Sequence, residues 1–261
     1  MIYAIPIAIV LAAFLLLIYL NERKGLLSAD RFPSLAAKIG AYAWLGALLL
    51  LVSFLVIAAS TQTPDPKQID NVSFWSLFDF HLILLVFLFG WWLLTGRPGI
   101  QKFMNLFSRD LAESTFIGVA AGVGGWALTI ALALGVAMIL NAVGLIPDDV
   151  KPSPMIPWMA GLPIWKKCVI VLSAMTVEEA FFRGFLQKRI GLIASTLIFA
   201  IAHAGYGQPF MLIGIVIISF IIGLTFWKTR NLWPCIVAHG VFDAIQLFVI
   251  VPLAMKFVPM S

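Results

Sequence analysis

Only 11% of the 261 residues are charged and 62% are hydrophobic, whereas a soluble domain carries about a quarter charged residues, so a water-soluble globular domain is excluded. The net charge of +5, from 17 Lys and Arg against 12 Asp and Glu, does not indicate nucleic-acid binding, because most basic residues flank hydrophobic runs and no basic arm or nucleic-acid motif accompanies them. The two cysteines, Cys168 and Cys235, have no metal-ligand spacing and are expected near opposite faces of the bilayer, which argues against a disulfide.

In chain order, apolar runs of spanning length lie near 1–20, 37–60, 79–96, 115–145, 165–187, 191–204, 209–227 and 231–255. They predict an all-α fold, a polytopic membrane bundle of about eight transmembrane helices. Residues 1–20 are expected as a retained span rather than a signal peptide, since the n-region is uncharged and no small-residue cleavage site follows. Basic residues set the expected orientation. Arg23, Lys24, Arg31, Lys38, Arg97, Lys102, Arg109, Lys188, Arg189, Lys228 and Arg230 fall to one side, against Lys67, Lys151, Lys166, Lys167 and Lys256 on the other. The first side is therefore expected in the cytoplasm and both termini outside it, in a cell (inner) membrane. In the fourth run, Gly118 and Gly122 form a small-xxx-small pattern, expected to let another helix approach closely.

Polar groups at membrane depth are costly, each acid or Arg at a helix centre about 2.5–3.5 kcal/mol on insertion scales. Among the acids, Glu178, Glu179 and Asp243 lie well inside spans, and His203 and His239 join them. Glu179 and Arg183 are i,i+4 neighbours and are expected to form a structural ion pair. Glu178 points about 100° away, with Phe181 and Phe182 on its next turn, and is free for chemistry. His239 and Asp243 are likewise i,i+4. Counting 1.5 Å per residue from the basic ends puts Glu178, His203 and His239 at a shared depth of about 12–18 Å. His81, beside Asp79 near the outer end of the third run, is expected to be an interfacial polar residue. A buried carboxylate can take a proton from water and imidazoles can donate to an oxyanion, so the parts for hydrolysis are present. No HExxH helix, GxGD motif or serine elbow accompanies them.

The series Glu178-Glu179-x-x-x-Arg183, Phe199-Ala200-Ile201-Ala202-His203 and His239-Gly240-Val241-Phe242-Asp243 resembles the three-motif signature of the CAAX-processing and bacteriocin-processing (CPBP, or Abi) family of intramembrane endopeptidases. The resemblance implies a catalytic helical core over 115–255 and accessory spans over 1–114. It also implies peptide-bond hydrolysis in a membrane-associated or lipidated protein, with Glu178 as base, His203 as its partner, and His239 with Asp243 at the oxyanion end. The family often has Asn where this chain has Asp243, and an ionised Asp only accepts hydrogen bonds. No cofactor is expected, although a His₂Glu zinc version of Glu178, His203 and His239 is chemically open. Phe181, Phe182 and Phe199 are candidates for the lining of a substrate groove. The expected partners are the lipid bilayer and a hydrophobic or lipid-anchored peptide or protein, with the site opening toward the cytoplasm. The rival readings are a non-enzymatic membrane scaffold or a bacteriocin-immunity protein.

Overall fold

In a computed structural model of the chain, the described residues are 30–60, 73–106, 110–144, 155–203 and 209–256. They form α1 (Leu35–Ser60), α2 (Asp79–Leu94), α3 (Ile100–Met104), α4 (Leu111–Ala142), α5 (Met155–Gly161), α6 (Ile164–Ser173), α7 (Lys188–Ala202), α8 (Pro209–Thr229), α9 (Trp233–Ile245) and α10 (Val251–Ala254). The π-helical segments Ala174–Glu178 and Ala180–Gln187 continue α6 toward α7, and Gln246–Ile250 continues α9. Among the described residues there is no strand, and the protein is a polytopic helical bundle. The run at 1–20 lies outside the described residues.

The polarity of the bundle is that of a membrane protein. Its outer faces carry large apolar side chains such as Phe54, Leu82, Phe89, Phe116 and Ile139, while Glu179, Arg183, Asn231 and His239 are buried inside. Lipid tails accept such a surface, and polar groups turn inward to find one another. Among the described residues, six stretches are long and apolar enough to cross a membrane, including Phe74–Leu94 and the 39-residue Ile164–Ala202.

The latter stretch holds the fifth and sixth expected spans, and it is folded back on itself. Gly191 sits at φ 83°, ψ 174°, a conformation essentially reserved for glycine. Phe182 and Phe199, which a straight helix would hold about 25 Å apart, instead pack with ring centroids at 4.8 Å. Ser195 Oγ donates to Phe182 O at 2.8 Å across the same hairpin. The sixth span is thus a short return arm, packed within the bundle.

The basic loops gather at one end, as the charge count requires. Arg189 binds Asp30 through Nε at 2.8 Å, Lys188 Nζ donates to Asn105 Oδ1 at 3.3 Å, and Leu232 N donates to Asn105 O at 2.8 Å. Asn231 Nδ2 and Ser114 Oγ close the same end at 3.0 Å. At the opposite end, Phe74 meets Trp165 edge-on at 5.7 Å, with Lys166 above the Phe74 ring.

Close packing of α4 on α9 sets the position of His239. A Cβ at Gly118 would lie 2.7 Å from Pro234 O, and one at Gly122 would lie 2.7 Å from Ala238 O. Both glycines are buried, so the small-xxx-small pattern is the seam along which α9 is held.

Candidate active site

Four spans deliver side chains to one point. The π-helical turn Ala174–Glu178 places Glu178 between His81 on α2 and His203 at the end of α7. Single π turns inside α-helices concentrate at functional sites, because the extra residue re-aims side chains that α-helical winding would spread. All three histidines of the chain converge here.

Two linked carboxylate systems result. In the first, Glu178 Oε1 is 3.1 Å from His81 Nε2, and Glu178 Oε2 is 3.8 Å from His203 Nε2. Ser173 Oγ lies 2.7 Å from His81 Nδ1. His203 Nδ1 donates to Phe199 O at 2.8 Å, so in the neutral ring Nε2 is the lone-pair nitrogen turned to Glu178. Glu178 Oε2 is buried with no hydrogen-bond partner among the described residues.

In the second system, Glu179 Oε1 accepts from Arg183 Nη1 at 3.0 Å and faces His239 Nδ1 at 2.8 Å. Arg183 Nη2 also donates to Ser219 O and Oγ, both at 3.0 Å. His239 Nε2 is 3.3 Å from Asp243 Oδ2. The i,i+4 pairs of the sequence are therefore present, and they are joined end to end, because Glu179 holds both Arg183 and His239.

Several expectations need correction. His81 is not interfacial. The span begins at Phe74, through the 3₁₀ turn Phe74–Phe78, so His81 lies well inside it and touches Glu178. The contact reaches across the boundary expected at 114, since α2 supplies His81. Phe181, Phe182 and Phe199 do not line an open groove: they are 7%, 1% and 4% exposed and interlock with one another and with Phe87 and Phe185. Phe199 is a packing hub, stacked on His203 at 4.4 Å, edge-on to His239 at 6.1 Å and under the Arg183 guanidinium at 4.8 Å. The sequence reading gives His81 no part in the site and does not single out Ser173 or Ser219. The scarcity of histidine in so apolar a chain was the one signal for His81.

Both ring nitrogens of His239 already face carboxylates, and among the described residues no group of three or more His, Cys, Asp or Glu side chains is arranged to hold an ion.

Residues 160–245 match the family described as type II CAAX prenyl endopeptidase, Rce1-like. The match is consistent with the CPBP family that the three motifs resemble. The matched segment contains Glu178, Glu179, Arg183, His203, His239 and Asp243 and leaves out His81. YpbD of Bacillus subtilis (strain 168), itself an uncharacterized protein, is 44% identical over 69 residues, 26% of this chain. The aligned part spans 36% of that relative's length. No solved structure matches the chain significantly.

Proposed function

We propose that the chain is an intramembrane endopeptidase that hydrolyses a peptide bond in a membrane-associated or lipid-anchored protein. The observation that carries this reading is Glu178 Oε2, a buried carboxylate oxygen without a hydrogen-bond partner among the described residues, held 3.8 Å from His203 Nε2. A water donating to both acceptors has its oxygen lone pair left for attack. Glu178 takes the water proton as the oxygen adds to the scissile carbonyl carbon. The oxyanion accepts from His239 Nε2–H, which Asp243 steadies from 3.3 Å while Glu179 accepts from Nδ1. Glu178 then passes its proton to the leaving amine as the C–N bond breaks, which returns the site to its starting state. Phe181, Phe182 and Phe199 act in this scheme as the rigid backing of the polar groups.

The basic end of the bundle is proposed as the cytoplasmic end. Side-chain exposure rises from 0% at Glu179 through 12% at Glu178 and 19% at His203 to 28% at Asp243. Toward the basic loops the site is floored by buried Arg183, Phe182, Phe185 and Phe199. On the question of a cytoplasmic opening, the packing therefore leans the other way, and we take the mouth to be at the Asp243 end.

The test is cleavage of a fluorogenic, farnesylated peptide with a CAAX-type end by the purified protein in detergent. Wild type should cut it, and Glu178→Gln should lose at least a hundredfold in kcat while keeping its melting temperature. Near-normal turnover by Glu178→Gln overturns the assignment. A well-folded wild type that cuts no lipidated peptide leaves the scaffold or immunity reading.

A further inference from the structure

We propose that His81 is a positioning residue for Glu178, and that Ser173 sets its tautomer. This rests on the reading of Glu178 as the water-activating carboxylate. His81 lies on α2, outside the segment that matches the family, and no motif points to it.

The chemistry of a flexible carboxylate explains the need. A Glu side chain has three rotatable bonds, and fixing it costs up to about 1.5–2 kcal/mol of rotamer entropy. Among the described residues Glu178 is anchored at one oxygen: Oε1 meets His81 Nε2 at 3.1 Å, and this turns Oε2 toward His203. Anchoring before substrate arrives removes that cost from the reaction step. A ring that is to hold a carboxylate must present an N–H. Ser173 Oγ, at 2.7 Å from Nδ1, donates to that nitrogen in the neutral ring and so leaves the proton on Nε2.

The backbone is shaped for this three-membered chain. Ser173 and Glu178 are five residues apart, which α-helical winding would set about 140° apart around the axis. The π turn Ala174–Glu178 closes i→i+5 hydrogen bonds and swings the two positions onto one face, where a single imidazole reaches both. The other groups around the ring support the placement. Phe78 packs at 6.0 Å from it, and His81 is only 12% exposed, so the ring has little room to turn away.

The experiment combines kinetics with a direct view of the rings. With the farnesylated peptide as probe, His81→Leu should lower kcat about 10–100-fold with KM nearly unchanged, the scale on which residues that orient a catalytic ligand act. His81→Gln, whose amide restores an N–H toward Oε1, should recover a substantial part of it, and Ser173→Ala should show a smaller loss in kcat. Protein labelled with ¹⁵N-histidine has three imidazoles to resolve. Glu178→Ala should move the His81 Nε2 signal and Ser173→Ala its Nδ1 signal, with His239 nearly unmoved in Ser173→Ala. Wild-type kcat in His81→Leu, equal loss in the Leu and Gln variants, or a His81 ring indifferent to Glu178→Ala overturns the proposal. If wild type cuts no peptide while the ring signals respond as stated, the protease reading fails and the His81 anchor on Glu178 stands.

Discussion

The Glu179 and Arg183 pair offers the sharpest energetic test, because both groups are almost wholly removed from solvent, at 0% and 1% exposure. Glu179→Ala removes the acceptor of Arg183 Nη1 and of His239 Nδ1 together. Arg183 keeps Ser219 O and Oγ, which satisfy Nη2 but carry no countercharge. Stranding a buried charge in this way costs about 3–5 kcal/mol. Glu179→Gln keeps an oxygen at the same place and loses only the charge, so two charge-assisted bonds become weaker ones, at a cost of about 2–3 kcal/mol. The double variant Glu179→Leu with Arg183→Leu strands neither charge and should recover at least about 1 kcal/mol relative to the sum of its single variants. Unfolding in mixed micelles of increasing denaturing detergent, followed by circular dichroism, measures all of these. The reasoning fails if Glu179→Ala unfolds within about 0.5 kcal/mol of wild type, or if the double variant is as unstable as the sum.

Gly122→Leu should loosen α4 from α9 and displace His239, with a loss of about 1–3 kcal/mol in the same unfolding assay and a fall in peptide cleavage, whereas Gly124→Ala, where a Cβ meets nothing within 4 Å, should change neither. Gly191→Ala places a Cβ on a backbone at φ 83° and should cost about 1–3 kcal/mol, seen as a lower melting temperature in detergent. Single cysteines at Lys102 and Trp75, in a background with Cys168 and Cys235 replaced by Ala, should label from opposite faces of sealed vesicles, and labelling from one face contradicts the topology. Active protein should contain far less than one zinc per chain by elemental analysis; one zinc per chain, lost with activity in His203→Ala, would restore the His₂Glu version.

Much of the architecture is local, and local features are written in the sequence. The span positions follow from the cost of leaving backbone and charge in lipid, a cost each segment meets by itself, so the runs at 37–60, 79–96 and 209–227 recur as α1, α2 and α8 with small shifts at their ends. The i,i+4 contacts Glu179–Arg183 and His239–Asp243 were legible because helical spacing alone brings those side chains together. Gathering of the basic loops was legible because charge bias acts on whole segments.

Lateral arrangement was not local. Hydropathy says that α2 crosses the bilayer and is silent on which helix it lies beside, because lipid tails cover an apolar face as well as another helix does. Only the packed bundle runs α2 alongside the 164–187 segment in the same direction, and so brings His81 to Glu178. The link between Glu179 and His239 has the same origin: α9 reaches that depth because Gly118 and Gly122 admit its backbone, an approach fixed by the fit of two surfaces. Phe181, Phe182 and Phe199 were misplaced for a related reason, since an aromatic ring faces a groove or a core according to what stands opposite it. The π turn between Ser173 and Glu178 also depends on its setting. It shifts every later side chain around the helix, and the contacts with His81, His203 and the Arg183 network are what the shifted side chains gain in return.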